Sequence, residues 1–174
     1  DFGDVCINTD LEWFAAEGLE APTTFADLVD PAYADLLTVE NPATSSPGLA
    51  FLLATVAEFG ADGWQAYWTD LRDNGVEVVD SWTTAYYERF SGSSGAGPRP
   101  LVVSYASSPP AEVIFADPPR HDAPTGVMTE TCFRQVEFAG VLAGSNHPEQ
   151  ARQLVDFLAS AEFQQEVALN LFVW

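Results

Sequence analysis

Short apolar runs alternate along the chain with longer stretches whose apolar residues recur at helical spacing. Phe2–Asn8 predicts a strand. Asp10–Glu17 predicts a short helix capped by Asp10, with Trp13 and Phe14 on its buried side. Pro22–Thr24 begins a loop, and Phe25–Leu28 predicts a further helical turn. Leu36–Val39 predicts a second strand, which enters the hydroxyl-rich turn Asn41-Pro-Ala-Thr-Ser-Ser-Pro-Gly48. A helix is expected over Ser46–Phe59, with Ser46 as N-cap and Pro47 at the first helical position, where a missing N–H costs nothing. Leu49, Leu52, Leu53 and Val56 recur at i, i+3, i+4 and i+7 and give this helix an apolar face.

Gly60–Gly63 breaks that helix. The next carries Trp64, Tyr67, Trp68 and Leu71 at the same spacing, read as a packing face, and Asn74-Gly75 ends it. Val76–Val79 predicts a strand, and Asp80 or Ser81 caps a helix across Trp82–Phe90. Ser91–Pro100 is rich in Gly, Ser and Pro and reads as a flexible surface loop. Leu101–Tyr105 is a continuous apolar strand suited to a buried position. Ala106–Pro110 is a second hydroxyl-rich turn before a short helix across Ala111–Phe115, and Ala116–Thr125 is a Pro-rich loop. Phe133–Leu142 predicts a strand. Pro148–Ala159 predicts a helix with Ala151, Leu154, Val155 and Leu158 on one face, Ala161–Val167 another, and Leu169–Trp174 an apolar tail.

Strands alternating with helices predict an α/β fold: a mixed, mostly parallel sheet with helices on both faces. Ligands of such sheets bind beyond the carboxyl ends of the strands. Three turns fall there, Thr44–Ser46, Ser81–Trp82 and Tyr105–Ser108, and together they offer a rim able to grip a phosphate and stack a ring. The free N–H groups and positive dipole end at Thr44–Ser46 suit an anion, although a capped helix without a ligand is the commoner case.

Composition narrows the function. The 174 residues suit one domain or a domain plus an extension, and 47% hydrophobic residues suffice for a core. The net charge of −20, from 26 acidic residues and six arginines with no lysine, argues against nucleic acid and against an anionic membrane surface. No apolar run has the length to span a bilayer. The chain opens on Asp1-Phe-Gly-Asp without a Met, as a processed or excised piece does. Cys6 and Cys132 are too few and too far apart for a metal site; a disulfide and two buried thiols are both compatible with their surroundings. His121 and His147 have no nucleophile nearby in sequence, and no Gly-x-Ser-x-Gly, phosphate-binding Gly-Lys loop or metal-ligand pair occurs, so an enzyme is not expected.

Asn41-Pro-Ala-Thr-Ser-Ser-Pro-Gly-Leu, Asp80-Ser-Trp-Thr-Thr-Ala-Tyr and Val103-Ser-Tyr-Ala-Ser-Ser-Pro occur here in the order and at similar spacing to those of thiamine-binding proteins, the solute-binding subunits of thiamine ABC importers. Phe133-Arg-Gln-Val-Glu-Phe-Ala-Gly and the ending around Phe163-Gln are also similar. The resemblance implies a two-lobed, periplasmic-binding-protein-like fold of type II with the ligand clamped between lobes. This chain resembles the second lobe, residues 10–174, with a hinge strand in residues 1–9 and the first lobe absent.

Carried over, the resemblance implies that Ser45, flanked by Thr44 and Ser46, contacts the phosphate end of the ligand. Trp82 and Tyr105 correspond to aromatics lining the pocket, and Phe172 falls where some members stack a tryptophan. Ala111 and Glu112 replace a tyrosine present in some members, and Ala168 replaces a common proline. Thiamine joins a cationic thiazolium, an aminopyrimidine and a hydroxyethyl or phosphate tail. Glu137, on the predicted strand Phe133–Leu142, is a candidate partner for the cation or the amine, with a solvated strand-face charge as the other reading.

The resemblance thus implies an exported protein, periplasmic or lipid-anchored at the cell surface. It implies no cofactor, a ligand that is thiamine, its monophosphate or its diphosphate, and ABC permease subunits as partners. A protein of the same fold for an iron complex, a polyamine or an organic phosphate is the alternative. For iron, Tyr86 and Tyr87 are adjacent, but adjacent helical side chains diverge, one buried and one exposed. An isolated lobe leaves its cleft face open, which predicts some self-association, possible through the hinge strand.

Overall fold

The computed structural model describes residues 1–92, 95, 97–171 and 173. Five strands form one sheet in the order β3-β2-β4-β1-β5: β1 (Phe2–Asp10), β2 (Leu37–Glu40), β3 (Glu77–Val79), β4 (Leu101–Tyr105) and β5 (Thr125–Val136). β2 runs parallel to both β3 and β4, with Thr38 beside Glu77 and Val102, while β1 runs antiparallel to β4, with Cys6 beside Ser104. The chain divides into two compact units, Asp4–Arg134 and Asp1–Gly3 with Gln135–Trp174.

In the larger unit, α1 (Leu11–Glu17) starts where Asp10 accepts from the Trp13 N–H and ends on Gly18 in the left-handed region. α2 (Ser46–Asp73) is broken at Gly60, whose φ of 72° and ψ of 177° are open to glycine and costly for other residues. The two limbs pack on each other: Phe59 stacks on Tyr67 at 4.2 Å, and the Trp68 indole donates to Thr55 Oγ1 at 2.9 Å. Tyr67 and Leu71 are buried, as the aromatic spacing predicts.

The first limb differs from its sequence reading. Its buried face is Ala50, Phe51, Ala54 and Thr55, while Leu49 and Leu53 stand 44% and 41% exposed. Small residues and one large ring fit the close approach to the sheet, where Val5, Ile7, Leu37, Val39, Leu101 and Val103 complete the core. On the opposite sheet face, Val102 packs with Ala85 and Tyr86 of a π-helical segment, Thr84–Arg89, and with Phe90 just after it. Helices therefore cover both faces, as expected.

Other boundaries move. α3 spans Ser108–Ile114 and takes Pro109 and Pro110 into its first turn, where prolines lose no hydrogen bond, so it begins earlier than predicted. β5 begins at Thr125 and ends at Val136, whereas the sequence predicted Phe133–Leu142. Cys6 and Cys132 are joined as a disulfide, with their Cα atoms 4.2 Å apart. In the loop over 91–100, Ser93, Ser94 and Ala96 lie outside the described residues; Ser91 at its start donates to Asp10 Oδ2 at 2.6 Å.

In the smaller unit, α4 (Pro148–Leu158) leads to α5 (Ala161–Asn170), which Ser160 caps by accepting from the Phe163 N–H. Phe157 and Phe163 meet edge to face at 5.5 Å. Among the described residues no helix is long and apolar enough to cross a membrane.

Candidate functional site

Because β2, β3 and β4 run in one direction, their carboxyl ends coincide, and hydrogen bonds tie the turns that follow them. The turn after β2 is closed by Asn41, whose carbonyl accepts from the Thr44 and Ser45 N–H groups. That turn is fastened to the one after β3: the Asn41 N–H donates to Val79 O at 2.7 Å, and Thr44 Oγ1 donates to Asp80 O at 2.8 Å. Asn41 Nδ2 also donates to Asp80 Oδ1 at 3.2 Å.

α2 starts from this fastened turn. Ser45, not Ser46, is the N-cap, with extended φ and ψ of −137° and 128°. The reason is that the first helical bond runs from the Leu49 N–H to Ser45 O, which makes Ser46 the first helical residue and moves Pro47 one place in. The Ser45 side chain makes no capping hydrogen bond, and the first turn carries no acidic residue. Ser46 and Thr44 are exposed and Ser45 is half-buried. The terminus thus presents hydroxyls and a positive dipole end, a setting that favours an anion.

After β3, Ser81 Oγ accepts from the Thr84 N–H at 3.1 Å and so fills the capping role foreseen for Asp80 or Ser81. This sets Trp82, half-buried, against the sheet. Its indole donates to Ser104 Oγ at 3.0 Å, and Ser104 Oγ lies 3.0 Å from Ser108 Oγ, so a hydroxyl chain links the turns after β3 and β4. Trp82 stacks on Tyr86 with ring centroids 4.9 Å apart and planes 16° from parallel. Tyr86 is buried and Tyr87 is 50% exposed. Tyr105 ends β4, half-buried, with its carbonyl accepting from Asn8 Nδ2 at 3.2 Å.

Thr44, Ser45, Ser46, Trp82 and Tyr105 therefore all belong to the larger unit and all stand at the joined strand ends. Glu137 belongs to the smaller unit. It lies one residue past the end of β5, not within a strand, and is exposed, with Oε1 accepting from Gln135 Nε2 at 2.6 Å. The strand ends sooner because its neighbour β1 begins at Phe2: past that point the Glu137 N–H donates to Asp1 O at 3.0 Å and the Asp1 N-terminus donates to Glu137 O at 3.5 Å. Phe172 lies outside the described residues. His121 and His147 are exposed, and among the described residues no group of His, Cys, Asp and Glu is arranged for a metal ion.

One residue at this rim was passed over in the sequence. Glu40, the last residue of β2, is fully buried, and neither carboxylate oxygen has a hydrogen-bond partner. Burial pushes its carboxyl up to about 8, so its neutral form prevails at neutral pH. The signal was a lone acid closing an apolar strand, directly ahead of the Asn-Pro turn. By contrast, Glu77 on β3 is held below the usual carboxylate range by Arg89, with Thr38 Oγ1 as a further donor.

A mixed, mostly parallel sheet with helices on both faces is the type II periplasmic-binding-protein-like fold. The bacterial extracellular solute-binding protein family matches residues 1–173, and the chain belongs to it. The thiamine-binding periplasmic protein of Escherichia coli (strain K12) is 31% identical over 146 residues, which cover 84% of this chain and 42% of that protein. The thiamine-binding periplasmic protein of Brucella suis biovar 1 (strain 1330) is 26% identical over 170 residues, covering 94% and 48%. A solved periplasmic thiamin binding protein superposes with a TM-score of 0.77 at 23% identity, covering 100% of this chain and 51% of that one. The chain spans about half the length of the relatives it matches. Membership in a family of solute-binding proteins agrees with the expectation that the chain is not an enzyme.

Proposed function

We propose that the chain is the second lobe of a two-lobed solute-binding protein, with residues 1–9 as hinge strand. It binds thiamine or a thiamine phosphate outside the membrane and delivers it to the permease subunits of an ABC importer. The observation that carries this reading is the α2 terminus, with the Ser45 and Ser46 hydroxyls, beside Trp82 at the joined ends of β2, β3 and β4. The terminus suits the anionic or hydroxyl tail, and an aromatic face attracts a thiazolium by up to about 2 kcal/mol when desolvated. The names of the relatives point to the same ligand.

The test is an NMR titration of the chain with thiamine diphosphate, then with thiamine. Saturable amide and indole shifts centred on Ser45, Ser46, Trp82 and Tyr105 are expected, larger with the diphosphate. Shifts scattered away from these residues overturn the assignment. In the smaller unit, Phe138 and Leu142 stand 91% and 81% exposed, which supports self-association of the lobe. Sedimentation is expected to detect a dimer at high concentration; a monomer throughout removes this part.

A further inference from the structure

Glu40 is the one described acid whose carboxylate is both fully buried and without a partner. Its place is defined from three sides. Above it lies the first turn of α2: a Cβ added to Gly48 would sit 2.3 Å from Glu40 O and 3.1 Å from Glu40 Cβ. Beside it, β3 sets Val79 in register. On the other side, carrying the β2–β4 register two residues on from Thr38–Val102 sets it beside Ser104, the acceptor of the Trp82 indole. Alternation along β2 puts Glu40 on the face of Thr38, where Val102 packs with Trp82, Ala85 and Tyr86. Glu40 is thus buried at the carboxyl end of β2, with its backbone against the first turn of α2 and its side chain on the sheet face that Trp82 covers.

We infer that Glu40 is a specificity-determining residue of this rim: it must carry its proton for a phosphate-bearing ligand to occupy the α2 terminus, so binding of such a ligand is linked to protonation of this buried carboxyl. The inference rests on the proposed function. Its physical basis is that two negative charges in a water-poor site exclude each other, whereas a neutral acid leaves the dipole and hydroxyls to act on the anion. A ligand without a phosphate meets no such exclusion.

Among the described residues no ion pair is made with Glu40. Ser45–Leu49 carry no charged residue. On β3, Glu77 is bound by Arg89, with Arg99 at 3.7 Å, and stands two residues down the strand. Asp80 is held by Asn41. On the π-helical segment, Tyr86 is bonded to Glu112, which also accepts from Thr125 Oγ1 at 2.6 Å; Glu88 and Tyr87 are exposed. β4 and α3 contribute the Ser104 and Ser108 hydroxyls.

The experiment is isothermal titration calorimetry of the full chain with thiamine monophosphate and with thiamine, in two buffers of different ionisation enthalpy. With Glu40 in place, the affinity ratio of monophosphate to thiamine is expected to fall about tenfold between pH 7 and 9. Roughly half a proton is expected to be taken up per monophosphate at about pH 8. Glu40→Gln is expected to flatten the ratio and abolish the uptake. A second measurement needs no variant: the Glu40 carboxyl carbon, followed by NMR, is expected to titrate at higher pH with monophosphate bound than without. If both ligands bind and the ratio or the carboxyl midpoint is unmoved, the inference falls and the proposed function stands. If neither ligand binds at neutral pH, the proposed function falls and takes the inference with it.

Discussion

The Trp82 indole donates to Ser104 Oγ at 3.0 Å, so the ring is anchored at its polar edge while one face stacks on Tyr86. The ring is therefore pre-oriented in the absence of a ligand, and ordering it adds little entropic cost on binding. Trp82→Ala is expected to weaken thiamine binding roughly tenfold or more, the order of a desolvated cation–π contact. Trp82→Phe keeps a face but loses the Ser104 bond, and is expected to fall between the two. Affinity measured by calorimetry checks both, and an unchanged affinity in the alanine variant removes Trp82 from the site.

Ser45 and Ser81 are both serines at helix starts, yet their hydroxyls do different things. Ser81 Oγ accepts from the Thr84 N–H, whereas Ser45 makes no capping bond. Ser81→Ala is expected to lower stability by about 1 kcal/mol, as a lost cap does. Ser45→Ala is expected to leave the urea midpoint nearly unmoved and to weaken binding of a phosphate-bearing ligand. Equal losses of stability in the two variants contradict this division.

How much of this was legible in the sequence depends on how local each cause is. Asp10 as cap, Gly75 as stop and the break at Gly60 were legible because one residue decides each. The buried face of α2 was not. Leu49 and Leu53 carry the stronger apolar signal, but the sheet admits the smaller Ala50 and Ala54 with Phe51 between them. β5 was misplaced because its buried residues, Thr125, Met128 and Thr131, do not recur at strand period. Thr131 Oγ1 donates to Met128 O and accepts from the Ile7 N–H, a tertiary arrangement that no local pattern announces. The hydroxyl-rich turns were legible as turns and as members of one rim. Glu40 was missed because its meaning lies in having no partner, which only packing reveals.

Gly48 sits where α2 crosses the end of β2, and a methyl group there would lie 2.3 Å from the Glu40 carbonyl. That neighbour is backbone and cannot swing aside. Gly48→Ala is expected to cost about 1–3 kcal/mol, as overpacking does, and to lift the α2 terminus from the rim. Stability from urea melts and ligand affinity are expected to fall together. A variant with wild-type values in both shows that α2 is not seated on Glu40.

The Cys6–Cys132 disulfide spans 126 residues of sequence. In the chain-entropy account a loop of that order restricts the unfolded chain by about 4–5 kcal/mol. Reduction, or a double Cys→Ser variant, is expected to lower the urea midpoint strongly. It is expected to leave the ligand rim intact below the transition, since neither cysteine stands at the carboxyl ends of β2, β3 and β4. Urea melts with and without reductant decide it, and coincident curves contradict the linkage.

Glu40 also ties stability to pH, in a direction opposite to that of Asp4, Asp27 and Glu77. Asp4, Asp27 and Glu77 are held below their ordinary values, Asp4 and Glu77 by bonds from Arg134 and Arg89 and Asp27 by the Thr23 and Thr24 N–H groups. They stabilise the fold above the usual carboxylate range, and that part is lost in acid. Glu40 keeps its proton in the folded state up to about 8, against an ordinary value of 4.5. Between those values the folded state binds more protons than the unfolded chain, so this group lowers stability as pH rises, by at most ~1.4 kcal/mol per pH unit. Below that window it contributes no slope, and above it the loss is complete. Glu40→Gln removes the titration while keeping the side-chain shape. The difference between variant and wild type is therefore expected to grow in favour of the variant from about pH 5 to about pH 8, then level off. Urea melts of both proteins across that range test it. Parallel stability curves would falsify the assignment of Glu40 as an acid held neutral by burial.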